Sequence, residues 1–183
     1  MRKVAIIGTN GLPAMYGGFE TLANFLVENL DQDSNKLIVY CSKTSKKERL
    51  ETYKGAKLIY LPLKANGWQS IIYDFITIVH AFFTASDLII LGFSGAFAFP
   101  LNKFFKKNII FNIGGIEWQK VRGSKLTSKI EVIVKKYMEK ICVKNSNAII
   151  IDNEHFKNYI NNTYNKEPIL AEYGGDHTKK IAL

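Results

Sequence analysis

Only two cysteines occur in the 183 residues, Cys41 and Cys142. Each sits inside an apolar run without a partner at metal-ligand spacing, which argues against a disulfide scaffold and a thiolate metal site and leaves buried, reduced thiols as the expectation. Long hydrophobic stretches are missing too. No segment reaches the ~18–20 uninterrupted apolar residues of a spanning helix; the nearest, 71–85, is too short and carries Asp74 and His80. The N-terminal run Val4-Ala5-Ile6-Ile7 stops at Gly8, too early for an export signal. A soluble, cytoplasmic protein is expected. Repeats, low-complexity tracts and an internal linker are absent, and 47% hydrophobic with 22% charged residues excludes a disordered or fibrous chain.

Acidic residues are the other shortage: 16 stand against 25 Lys and Arg, a net charge of +9. Such an excess suits nucleic acid, an anionic membrane or an anionic substrate. One concentration is Lys103, Phe104, Phe105, Lys106 and Lys107, preceded by Phe97 and Phe99; another runs from Lys120 and Arg122 through Lys125, Lys129, Lys135, Lys136 and Lys140 to Lys144. Rings beside lysines suit the headgroup region of an anionic membrane. A solvated helix face with core phenylalanines gives the same pattern, and both readings stay open. No nucleic-acid motif is present, and the lysines alternate with apolar residues as in a packed helix, so nucleic acid is not an expected partner.

Short apolar runs alternate with helical periodicity along the whole chain. Strands are expected at Lys3–Gly8, Lys36–Cys41, Lys57–Leu61, Asp87–Leu91, Asn108–Asn112, Asn147–Ile151 and Pro168–Ala171. Helices are expected at Phe19–Leu30, with Phe19, Leu22, Ala23, Leu26 and Leu30 on one face, and at Gly67–Ala85, Ala96–Phe105, Leu126–Lys144 and Asn153–Tyr164. This alternation predicts an α/β fold: a doubly wound, mostly parallel, Rossmann-like sheet with helices on both faces and a ligand site at the strand carboxyl ends. Residues 1–172 form that domain, and Tyr173-Gly174-Gly175-Asp176-His177 reads as the start of a hinge.

The loop from Gly8 to Glu20 joins the first strand to the first helix, the usual phosphate site of α/β proteins. Gly-x-Gly-x-x-Gly is absent and no acidic residue follows the second strand; the helix begins Gly-Gly-Phe-Glu where a P-loop needs Gly-Lys-Ser/Thr. Gly11, Gly17 and Gly18 suit a phosphate approaching bare backbone without NAD or ATP chemistry, and a purely structural turn is the other reading.

Val4-Ala5-Ile6-Ile7-Gly8-Thr9, Gly11-Leu12-Pro13-Ala14 and Tyr16-Gly17-Gly18-Phe19-Glu20-Thr21 together resemble the opening of the bacterial family 4 glycosyltransferases, which include rhamnosyltransferases of capsule and cell-wall polysaccharide assembly. Gly115-Ile116-Glu117-Trp118, Asp152-Asn153 and Tyr173-Gly174-Gly175-Asp176 continue the resemblance in order. It implies the N-terminal half of a GT-B enzyme, two Rossmann-like domains across a cleft, transferring a sugar with retention. The donor substrate would be a nucleotide-sugar, with no cofactor and no required metal. The acceptor would be a lipid-linked saccharide at the inner face of the plasma membrane, with dTDP-rhamnose the first guess for donor. The chain alone would be inactive, and its exposed strand ends, Phe93 and Trp118, would favour a homodimer. A stand-alone membrane- or partner-binding module of the same fold is the alternative.

By that resemblance Gly17 and Gly18 face the donor phosphate. Phe19, Glu20, Trp118 and Asn153 line the acceptor cleft, and Asp152 and Glu117 are the catalytic candidates. Duller readings stand beside these. Glu117 suits pairing with Lys120 or Arg122, Trp118 a hydrophobic lid, and Asp152-Asn153 a helix N-cap. His80 reads as a packed core residue; His155 and His177 read as surface. Two departures from the family pattern put a general base in doubt: Gly114 stands where an acid is usual, and Gln119-Lys120-Val121-Arg122-Gly123 replaces a basic-tryptophan pattern. Glu131 and Glu139 have the spacing of the family's donor-binding pair. They fall in a lysine-rich helix and read as an i, i+4 ladder with Lys135.

Overall fold

The computed structural model describes residues 1–15, 17–42, 49–121 and 126–172, except for the side chains of Glu117 and Lys120. Tyr16, Arg122, Lys125, the hinge candidates 173–176 and His177 lie outside these residues. In chain order the elements are β1 (Arg2–Ile7), α1 (Gly18–Asn29), β2 (Asn35–Ser42), β3 (Thr52–Tyr53), β4 (Ala56–Leu61), α2 (Gln69–Thr84), β5 (Asp87–Leu91) and a 3₁₀ segment at Ala96–Leu101. They continue with α3 (Asn102–Phe105), β6 (Asn108–Asn112), a 3₁₀ turn at Glu117–Lys120, α4 (Leu126–Asn145), β7 (Ala148–Ile151), α5 (Glu154–Tyr164) and β8 (Ile169–Leu170).

One eight-stranded sheet runs β3-β4-β2-β1-β5-β6-β7-β8. All its pairings are parallel except the β3–β4 hairpin. This is the doubly wound α/β fold expected from the alternating runs. The hairpin was not expected. Its turn residues Lys54 and Gly55 both take positive φ, 44° and 81°, the conformation of a tight two-residue β-turn. β3, with two residues, is too short to show an alternating pattern. The expected helix at 96–105 begins as a 3₁₀ segment containing Pro100, which lacks the N–H a continuous α-helix needs.

Strand alternation divides the core into two layers. Val4 and Ile6 of β1 pack with Ala23 and Val27 of α1, while Ala5 and Ile7 join α2, α4 and α5 on the opposite face. Among the described residues α1 is the sole helix in its layer. Glu20, Ala23 and Val27 are its buried residues, and Phe19, Leu22, Leu26 and Leu30 of the expected face pack half-covered against the same core. Phe93, expected at an exposed strand end, is instead part of the core. Cys41 and Cys142 are buried and unpaired, as expected.

β1 has β2 on one side and β5 on the other, so the connections leaving their carboxyl ends diverge and open a crevice. Gly8 and Gly92 begin those two connections. A Cβ on Gly8 would lie 1.9 Å from the Leu91 carbonyl oxygen, and Gly8 has φ +94°. Gly8→Ala should therefore destabilise the fold by at least ~3 kcal/mol, from backbone strain plus the overlap, measured as a lower midpoint in urea denaturation.

Candidate functional site

The first loop is tied at several points. Glu20, 7% exposed, accepts hydrogen bonds from the Asn10 backbone N–H at 2.8 Å and from Asn10 Nδ2 at 3.0 Å. The Ser42 N–H donates to the Asn10 carbonyl at 2.8 Å. The Tyr73 hydroxyl donates to the Thr9 carbonyl at 3.3 Å, and Asn66 Nδ2 to Asn10 Oδ1 at 3.2 Å. The turn between β1 and α1 is thereby fixed to its own helix, to β2, to α2 and to the segment before α2. Gly17 stands at the N-cap of α1, and no side chain among the described residues caps the first turn, so its N–H groups and the positive end of the helix dipole meet whatever enters. A Cβ on Gly17 would lie 2.1 Å from Glu20 Oε2, with φ +112°; glycine is what lets the Glu20 carboxyl sit under the turn.

A cleft of about 400 Å³ opens at this point. Gly8, Thr9 and Asn10 form one side and Gly17 to Glu20 another; Asn66, Gly67, Ser70 and Asp74 of the α2 region face them, and Gly92 and Ser94 close the end. Gly17, Gly18, Phe19 and Glu20 are thus brought together as the sequence suggested. Gly11, buried with φ +127°, belongs to the same loop but does not line the cleft. Phe19 has a supporting position. A Cβ on Gly114 would be 2.3 Å from its Cζ, and one on Gly92 3.3 Å from its Cε2. The ring fills the space that an acidic residue at 114 would need, which explains physically why glycine stands there.

Asp74 is the group the sequence reading passed over. It is 6% exposed, and its Oδ1 is buried without a hydrogen-bond partner among the described residues. Burial pushes its carboxyl up to about 7, opposed by a hydrogen bond from Ser94. The signal was present: Asp74, Thr77, Ile78 and Ala81 share the buried face of α2, at spacings of three and four.

The remaining candidates lie elsewhere. Trp118 donates from Nε1 to the Tyr159 hydroxyl at 3.3 Å and carries Lys136 Nζ 4.1 Å above its ring. It lines a separate basic depression of about 660 Å³ with Lys140, Lys144, Tyr164 and Lys166. Asn153 is the N-cap of α5, accepting from the Phe156 N–H at 3.0 Å, and Asp152 Oδ1 accepts from Asn153 Nδ2 at 2.7 Å. The Glu117 side chain is outside the described residues. The ladder on α4 is half right. Lys135 and Glu131 pair at 2.9 Å, but Glu139 is buried and accepts instead from the hydroxyls of Tyr159 at 2.5 Å and Tyr164 at 2.6 Å. His80 is not a core residue. It is exposed, with Nδ1 2.6 Å from the buried Tyr40 hydroxyl; His155 is exposed as expected.

Lys103, Phe104, Phe105, Lys106 and Lys107 immediately precede β6 and so lie at the amino-terminal edge of the sheet, opposite the cleft. Phe104 is 71% exposed beneath Lys103, whereas Phe105 stacks on Phe82. No helix among the described residues is long and apolar enough to cross a membrane, and no cluster of three or more His, Cys, Asp or Glu there is placed to hold a metal ion.

A family described as a domain of unknown function (DUF1972) matches residues 1–176. The chain belongs to this family. No curated protein matches it. Among solved structures, sucrose-phosphate synthase (tll1590) from Thermosynechococcus elongatus superposes with a TM-score of 0.69 at 16% identity over 89% of this chain and 45% of the synthase. A second, shorter chain of that synthase gives 0.63 at 13% identity, over 96% of this chain and 91% of its own. Phytolacca americana UGT2, complexed with UDP-2fluoro-glucose and pterostilbene, gives 0.58 at 8% identity over 95% and 54%. The fold is therefore that of one half of GT-B glycosyltransferases, and this chain spans less than half of the first synthase.

Asp74 makes stability depend on pH. Below pH ~4 the carboxyl is neutral in both states. From there to about 7 the unfolded chain has lost the proton and the folded chain keeps it, so stability falls as pH rises and then levels off. The neighbouring Tyr73 and Cys142 are held well above their ordinary values, chiefly by burial, and do not titrate in that window. Asp74→Asn should flatten this slope and raise the Tm at pH 7.5 by roughly 3–6 °C, read by thermal unfolding from pH 4 to 8. Glu20→Ala should cost about 2–3 kcal/mol through the two lost bonds to Asn10, read by denaturant titration.

Proposed function

We propose that this chain forms the acceptor-side wall of a retaining sugar-transfer site. The observation that carries the reading is the uncapped N-terminus of α1 opening into a cleft at the strand switch point. Backbone N–H groups and the helix dipole there offer an anion site held by its own loop, suited to the diphosphate of a nucleotide-sugar as it departs. Because Glu20, Ser42 and Tyr73 already hold the loop, little reorganisation accompanies the charge shift. Similarity to half of a sucrose-phosphate synthase and of a UDP-sugar-bound enzyme supports the reading. A second domain would supply the facing wall and most donor contacts. In the intact enzyme we place dTDP-rhamnose as donor, a lipid-linked saccharide as acceptor and surface polysaccharide as product. Asp152 and Glu117, at the ends of neighbouring strands, remain candidates for the acceptor side.

The membrane contact belongs, on this reading, to the end of the molecule that carries the cleft. Trp68, Ile71 and Phe75 of the α2 region and Ile130, Ile133 and Tyr137 of α4 are all exposed. Ile71 and Ile130 line an apolar groove of about 490 Å³ that shares Gly67, Ser70 and Ser94 with the cleft. Lys129, Lys136 and Lys140 lie exposed along α4, giving cations for anionic headgroups beside the apolar patch. The same face would drive self-association of the isolated chain.

Sugar transfer from a nucleotide-sugar panel to a polyprenyl-diphosphate saccharide should require the second domain and be absent from the 183 residues alone. In the two-domain enzyme, Gly17→Val should lower turnover by roughly 100-fold or more; transfer by the chain alone would place the active site elsewhere. In vesicle sedimentation, Ile133→Glu should abolish binding to phosphatidylglycerol vesicles and Phe104→Glu should not. The reverse result would return the contact to Lys103–Lys107.

A further inference from the structure

A buried carboxyl with an unused oxygen is costly to a fold, because a desolvated acceptor gives up its water without replacement. Asp74 is such a group, and its surroundings are built to admit it. A Cβ on Gly95 would lie 3.0 Å from Asp74 Cβ and 2.4 Å from Ile78 Cδ1, so bare backbone packs directly against this turn of α2. Ser94 lines the cleft beside Asp74 and opposes the upward shift of its carboxyl. The other nearby acid is committed: Glu20 Oε1 holds both nitrogens of Asn10. Thr9 Oγ1 already donates to the Tyr40 carbonyl at 3.4 Å, and Asn66 Nδ2 to Asn10. Asp74 thus lines the cleft opposite the α1 N-terminus with acceptor capacity left over. Rotation about the terminal bond of an aspartate is soft and two-fold, so either oxygen can turn to a ligand. A carboxylate accepts from hydroxyl groups, which a sugar has and a phosphate dianion lacks.

We propose that Asp74 receives a hydroxyl of the sugar whose phosphate rests on the α1 N-terminus, and so distinguishes a sugar phosphate from a bare phosphate. This rests on the reading of the cleft as a sugar–diphosphate site. The two halves of the cleft then divide the ligand. Gly17 and Gly18 meet its charge, and Asp74 with Ser94 meets its hydroxyl edge. The unpaired oxygen is the cost of keeping that second half ready.

The test is a titration of the ¹⁵N-labelled full chain, followed by NMR, with inorganic phosphate and with glucose 1-phosphate. At pH 8, where Asp74 is ionised, both should shift the Gly17 and Gly18 amides, and glucose 1-phosphate should bind about tenfold more tightly, the worth of one hydrogen bond to a charged group. Asp74→Asn should keep phosphate binding, unchanged or stronger, and lose the tenfold preference. Deoxy analogues of glucose 1-phosphate give a readout on the wild-type chain: removal of one particular hydroxyl should bring the affinity down to that of phosphate. Equal binding of both probes by the wild type, a preference that survives in Asp74→Asn, or indifference to every deoxy analogue would overturn the assignment while leaving the phosphate site in place. No shift of Gly17 or Gly18 with either probe would remove the phosphate site and the assignment together.

Discussion

The close approach of Gly8 to the Leu91 carbonyl is the constraint on which the cleft depends. It holds the ends of β1 and β5 together at the point where their continuations separate, with no room for a side chain. The rest follows in sequence. The chain leaving Gly8 turns under Glu20, the two bonds from Asn10 fix that turn to α1, and the first turn of α1 faces the crevice with its amides uncapped. A Cβ at Gly8 would displace the loop and the helix end together, because the same few contacts position both.

Two buried acids behave differently within one fold. Glu139 gives one oxygen to Tyr159 and Tyr164, whose hydroxyls are held above their usual range by burial and by that carboxylate. It ties α4 to α5 behind the basic depression, a role internal to the protein. Asp74 has one serine and a cleft. Each leaves an oxygen without a partner among the described residues, and of the two only Asp74 lines the cleft. Buried polar groups of this kind are where stability is given up to function.

Seven strands were legible in the sequence because parallel strands buried on both faces read as short continuous apolar runs. The β3–β4 hairpin was not, since two residues carry no period. The face of α1 was legible as well, since Phe19, Leu22, Ala23, Leu26 and Leu30 all pack on the core, with Val27 buried beside them. Composition misled at Glu139, where a lysine-rich neighbourhood suggested solvent but the tyrosines of α5 lie twenty and more residues away in sequence. His80 was misplaced for the opposite reason, an apolar segment that nonetheless has an open side. Of the candidate site, the glycine turn and Phe19–Glu20 could be found from sequence. The pairing of Phe19 with Gly114 could not, because it joins elements almost a hundred residues apart.

α2 runs from the cleft to the far edge of the sheet, about 24 Å at the usual helical rise, and carries exposed aromatic residues near both ends: Trp68 just before its start and Phe83 near its finish, where Phe105 packs edge-on. A flat surface can meet one end at a time. Lying on the Trp68 end, the molecule would hold its crevice at headgroup depth, within reach of a substrate anchored in lipid. Lying on the Phe83 end, it would lift the crevice towards the aqueous pool of small phosphorylated molecules. If the proposed membrane contact holds, the end of α2 that meets the surface would decide which of these two supplies the crevice faces.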